Sequence, residues 1–69
     1  MKEPKELYQA LSTKNRKSIR EYVAGKIGVS TKTVENHLRS GLDIVETKHF
    51  FAWFEEQGID ADTLISQVA

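Results

Sequence analysis

Sixty-nine residues make one small domain, 1–69, whose core is modest and whose stability stands near the lower limit for an independent fold. The chain has no cysteine, which excludes disulfides, thiolate metal sites and a cysteine nucleophile. Ten Lys and Arg balance ten Asp and Glu, so the formal net charge of zero excludes a uniformly basic polyanion binder.

The charges are nevertheless segregated. Residues 1–40 carry nine basic and four acidic side chains, a net +5, whereas residues 41–69 carry Lys48 against six acids, a net −5. Such asymmetry points to nucleic-acid contact by the first half, with chance clustering on a solvated surface as the plain alternative. No apolar run is long enough to span a membrane, and Met1–Glu6 lacks the apolar centre of a signal peptide. A cytoplasmic location is expected.

Taken in order, the chain opens with Pro4, which fits a first helical turn because its missing N–H costs nothing there. Leu7 and Leu11 lie one helical repeat apart with Tyr8 beside them, which predicts a helix over Lys5–Ser12. The start of the second helix stays open between Lys14 and Ile19. Ser18-Ile19-Arg20-Glu21 matches a capping box, and Thr13 is a competing cap for a longer helix. Ile19, Val23 and Ile27 form its apolar stripe. Gly25 in mid-helix either admits a close neighbour or is a plain weakness of about 1 kcal/mol against alanine.

Gly28 suits the left-handed end of that helix, and Ser30 suits the cap of the next. Val34, Leu38 and Leu42 lie on the inner side of the third helix, which Ser40-Gly41 ends. Leu42–Val45 reads as a short apolar connection. Thr47 reads as the cap of a fourth helix, Lys48–Gln57, closed by Gly58. Asp60 caps a fifth, Ala61–Val68, with Leu64, Ile65 and Val68 along one side. The expected fold is all-α, a compact bundle of about five short helices containing a helix-turn-helix.

That unit covers about 19–40, followed by an aromatic helix and a short helix over 47–68. Its positions have separate jobs. Ala24 is small where two helices cross, Gly28 takes the turn, Val29 plugs the space between the helices, and Val34 and Leu38 anchor the second helix. At 100° per residue, Lys32, Glu35, Asn36 and Arg39 gather opposite those anchors, with Thr33 flanking. This is chemistry for base edges: Arg and Lys pair with guanine, Asn with adenine, and Glu accepts from cytosine. Ser30 and Thr31 at the helix start suit phosphate oxygens. Lys14, Arg16, Lys17, Arg20 and Lys26 are further candidate phosphate contacts, which set affinity but not sequence.

The run Gly28-Val29-Ser30-Thr31-Lys32-Thr33-Val34-Glu35-Asn36-His37-Leu38 resembles the recognition half of LuxR-type and sigma-factor region 4 helix-turn-helix domains. The resemblance covers about Ile19–Arg39, under a third of the chain, and implies that Lys32, Thr33, Glu35, Asn36 and Arg39 face DNA. The layout of a reading hairpin followed by an aromatic and a short terminal helix, with Gln67-Val68-Ala69 at its end, is also similar to lambdoid-phage CII-type activators.

Phe50, Phe51, Trp53 and Phe54 fall within five residues and span an arc of ~160° on one helix. The short fifth helix offers too little apolar surface to cover four rings. The surplus is expected at a homodimer interface, with Trp53 at its edge, while the alternative puts all four in the core. His37 is expected at the core edge and His49 at an exposed flank; neither has a metal-binding partner at helical spacing. No glycine-rich phosphate loop and no carboxylate pair is evident. No enzyme activity, cofactor, metal or small-molecule ligand is expected.

The expected function is a sequence-specific, duplex-DNA-binding transcriptional regulator of phage or bacterial type acting as a homodimer, with RNA polymerase a possible further partner. The rival is a protein-interaction module that binds a polymerase subunit or another regulator through the hairpin or the aromatic surface.

Overall fold

A computed structural model of the chain describes residues 3–68. They form five α-helices: α1 Pro4–Ala10, α2 Thr13–Ile27, α3 Thr31–Ser40, α4 Ile44–Gln57 and α5 Ala61–Val68. No strand occurs among the described residues, and none of their helices is long and apolar enough to cross a membrane. The side chains of Gln67 and Val68, and all of Ala69, lie outside the described residues, and with them the terminal run singled out above and one member of the α5 stripe.

The start of α2 differs from both readings of the sequence. Neither Thr13 nor Ser18 caps it. Ser12 does, its Oγ accepting from the Asn15 N–H at 3.2 Å. The reason is tertiary. Beginning the helix here leaves only Leu11 and Ser12 between α1 and α2, and brings Arg16 against the last carbonyls of α1. Arg16 Nε donates to Tyr8 O at 3.1 Å and Nη2 to Gln9 O at 2.5 Å, so one side chain satisfies carbonyls that a short helix leaves orphaned. Ser18, displaced from the capping role, instead accepts from Trp53 Nε1 at 3.2 Å, across 35 positions of sequence.

α4 likewise starts earlier than Thr47. Asp43 is its cap, with Oδ1 accepting from Glu46 N at 2.7 Å while Glu46 Oε1 accepts from Asp43 N at 3.2 Å. This reciprocal capping box converts the expected connection Leu42–Val45 into a first helical turn. Thr47 Oγ1 donates to Asp43 O at 2.7 Å. Gly28 and Gly58 close α2 and α4 at φ of 75° and 68°. At each end two successive N–H groups return to one carbonyl, Gly28 and Val29 to Ala24 O, Gly58 and Ile59 to Phe54 O. Gly25 is exposed and has open space where a Cβ would stand. It admits no neighbour and is a plain helix weakness.

The core consists of Leu7 and Leu11 from the α1 segment, Ile19, Val23 and Ala24 from α2, Val34 and Leu38 from α3, and Phe50, Trp53 and Phe54 from α4. α2 lies at the centre, packed on both α3 and α4, while α1 packs on α3 and α5. The aromatic rings interlock: Phe54 meets Trp53 edge-on at 5.2 Å, and Phe50 meets Phe51 edge-on at 5.5 Å. For three of the four rings, Trp53 among them, the expected place at a subunit boundary is corrected. Trp53 is 1% exposed, Phe50 0% and Phe54 3%. α2 packs against α4 on this side, and the indole N–H already has its partner in Ser18. Phe51 alone of the four remains half-buried.

Candidate nucleic-acid interface

α3 is set by its cap and its anchors. Ser30 stands in extended geometry and accepts from Thr33 N at 3.2 Å, worth about 1 kcal/mol of helix stability. Its hydroxyl also bonds Thr33 Oγ1 at 3.0 Å. Val34 and Leu38, 1% and 3% exposed, fix the inner face, and Ala24 of α2, which packs on α3, is also buried. Val29 differs from its expected role: it is 38% exposed. Its N–H completes the turn, and half-buried Ile27 packs on the core instead.

The last turn of α3 is held by a contact that the sequence reading missed. His37 Nδ1 lies 2.6 Å from Glu46 Oε2. The carboxylate is buried, the imidazole half-exposed. Glu46 thus joins the end of α3 to the start of α4, since its other oxygen belongs to the capping box. The pattern Asp43-x-x-Glu46 ahead of an apolar run was the available signal. His37 stands at the core edge as expected, while His49 is half-buried rather than exposed.

On the outer face, Lys32, Asn36 and Arg39 are exposed, and Thr33 and Glu35 are half-buried. Arg39 Nη2 donates to Glu35 Oε1 at 3.2 Å, one turn back along the helix. A pair this open to water adds little stability, but it aims the guanidinium along the exposed face. Ser40 Oγ donates to the Asn36 carbonyl, leaving the Asn36 amide side chain out of that bond.

The expected phosphate contacts divide. Lys14, Lys17, Lys26, Ser30 and Thr31 are exposed. Lys17, Arg20 and Glu21 of α2 border one open depression with Thr31 at the start of α3, so two cations of one helix stand beside the N-terminus of the other. Arg20 Nη1 also donates to the Tyr8 hydroxyl at 2.5 Å. Arg16 is a correction. Two of its nitrogens are bonded to α1 carbonyls and its guanidinium lies 5.7 Å from the Tyr8 ring centre, so it serves the α1–α2 junction rather than a free surface. Lys26 Nζ stands 5.3 Å from the Tyr22 ring centre. The Tyr22 phenol is raised above its ordinary pKa by hydrogen-bonding interaction with the Glu56 carboxylate, by desolvation, and by the charge of Glu56.

No protein-family model, curated protein or solved structure matches this chain.

Proposed function

We propose that the chain is a sequence-reading, duplex-DNA-binding regulator in which α2, the turn at Gly28 and α3 act as a helix-turn-helix, with α3 entering the major groove. The observation that carries this reading is the division of α3 itself. Its inner face is locked by Val34 and Leu38, and its outer face offers Lys32, Asn36 and Arg39 to solvent. The major groove admits an α-helix, and amide and guanidinium groups make bidentate contacts with adenine and guanine there. The depression bordered by Lys17, Arg20 and Thr31 supports the same docking. A phosphate placed there meets two cations and the free N–H groups of a helix start.

The concentration of positive charge in residues 1–40 supports the reading from another direction. The acidic part that follows would face away from the duplex. A ten-residue helix is about 15 Å long and reads few base pairs, so symmetric half-sites read by two copies would supply the remaining specificity.

Selection from a random duplex pool tests the assignment. The wild type is expected to enrich a defined short motif. An Asn36→Ala, Arg39→Ala double variant is expected to lose preference at two or more positions of it, at about 1–3 kcal/mol per lost bidentate contact. A wild type that enriches no duplex would overturn the regulator reading. A double variant that enriches the same motif equally well would overturn the assignment of the outer α3 face.

A further inference from the structure

We infer that the outer face of α4 is a self-association surface, on which a second copy of this chain docks with its own α4 running antiparallel. Along this face the described structure leaves Ile44 88% and Val45 56% exposed, the two most exposed large apolar side chains among the described residues. Two turns further on, Phe51 and Ala52 are half-buried, and Lys48 and Glu55 are exposed. Ile44, Lys48, Phe51 and Glu55 recur at intervals of four, three and four residues, which is the spacing of one helix side facing another. The opposite side of α4, through Phe50, Trp53 and Phe54, is already used by the core. The stripe therefore has helix-contact spacing, with Ile44, Lys48 and Glu55 exposed along it and Phe51 only partly covered by the core.

The occupant follows from charge. Lys48 is the only Lys or Arg after residue 40, and it stands on this stripe with Glu55 two turns beyond it on the same row. A symmetric pair must place like surfaces on like surfaces. In an antiparallel register with the two-fold axis between Phe51 and Ala52, Lys48 meets Glu55 of the partner subunit, twice. Phe51 then lies against Ala52 of the partner subunit, and Ile44 lies level with Ile59 of the partner subunit, just past the end of its α4. Sliding the helices so that Lys48 faces Lys48 removes both ion pairs and opposes like charges. One register is thus self-complementary, in an otherwise acidic half whose copies would repel one another. The contact is a single helix pair, well below the ~800 Å² per partner of a standard interface. Association is therefore weak in free solution and becomes effective where two copies are held at high local concentration, as on neighbouring sites of one ligand.

Sedimentation equilibrium of the wild-type chain, without DNA, from about 10 µM to about 1 mM tests this independently of the DNA reading. The wild type is expected to move from monomer to dimer across that range. Lys48→Glu and Glu55→Lys, each opposing like charges twice, are each expected to weaken dimerisation at least about tenfold. The Lys48→Glu, Glu55→Lys double variant restores both pairs with reversed sign and is expected to dimerise within about threefold of the wild type. Both positions are exposed, and circular dichroism checks that all four proteins fold alike. A wild type that stays monomeric throughout would assign the face to a different partner and overturn the inference. So would a double variant no tighter than the singles, which would place the dimer contact elsewhere.

Discussion

Trp53→Ala is expected to lower the unfolding free energy by about 3–5 kcal/mol. Stability per residue in native domains implies a total of roughly 3–10 kcal/mol for a chain of this length, so this one side chain carries a large share. Trp53 is 1% exposed, stacks edge-on against Phe54 and donates to Ser18. Removing it opens a cavity at the α2–α4 contact and leaves Ser18 without its distant donor. Ser18→Ala is expected to cost only about 1 kcal/mol, the net worth of one hydrogen bond. Urea titration followed by far-UV circular dichroism measures both. A Trp53→Ala protein within about 1 kcal/mol of the wild type would mean that the ring is not a core residue.

The pair His37 and Glu46 carries the second large effect. Glu46 is 3% exposed and has a partner for each oxygen, Asp43 N and His37 Nδ1. Glu46→Ala removes a buried hydrogen bond to an imidazole and half of a capping box, for an expected loss of about 2–3 kcal/mol. Burying a carboxylate carries its own desolvation cost, so the cleaner measurement is a double-mutant cycle of Glu46→Ala with His37→Ala. A coupling of about 1–3 kcal/mol is expected for groups in direct contact. Additivity within about 0.5 kcal/mol would show that the two side chains do not meet. The pair matters beyond stability because it fixes the end of α3 nearest Arg39.

What the sequence made legible was local chemistry with a single solution. Gly28, Ser30, Gly41 and Gly58 mark helix ends because only a left-handed or capping residue satisfies the backbone there, and the structure uses each as an end. Val34 and Leu38 were legible from spacing alone. What escaped were choices between equivalent local signals. Ser12, Thr13 and Ser18 are all competent caps, and the decision lies with Arg16 reaching α1 and Trp53 reaching Ser18, contacts that no local window contains. Asp43 with Glu46 carries the same capping signature as Ser18 with Glu21, yet only the former begins a helix.

The rings show the same limit. Four aromatics on ~160° of one helix exceed what α5 alone can cover, but α2 covers most of the arc, so the apolar excess on α4 is aliphatic, at Ile44 and Val45. At the candidate interface, spacing identified the outer face of α3, whereas the internal commitment of Arg16 depended on where α2 begins.

Duplex reading by this chain requires the Lys17, Arg20 and Thr31 depression and the outer face of α3 to meet a phosphate backbone. Its most direct test is the salt dependence of wild-type affinity for its selected duplex, measured by fluorescence anisotropy between about 50 and 300 mM KCl. With Lys14, Lys17, Arg20 and Lys26 on phosphates, log K is expected to fall against log salt with a slope of about −3 to −4 per bound copy. An affinity that stays constant over that range would show that these cations do not meet phosphates.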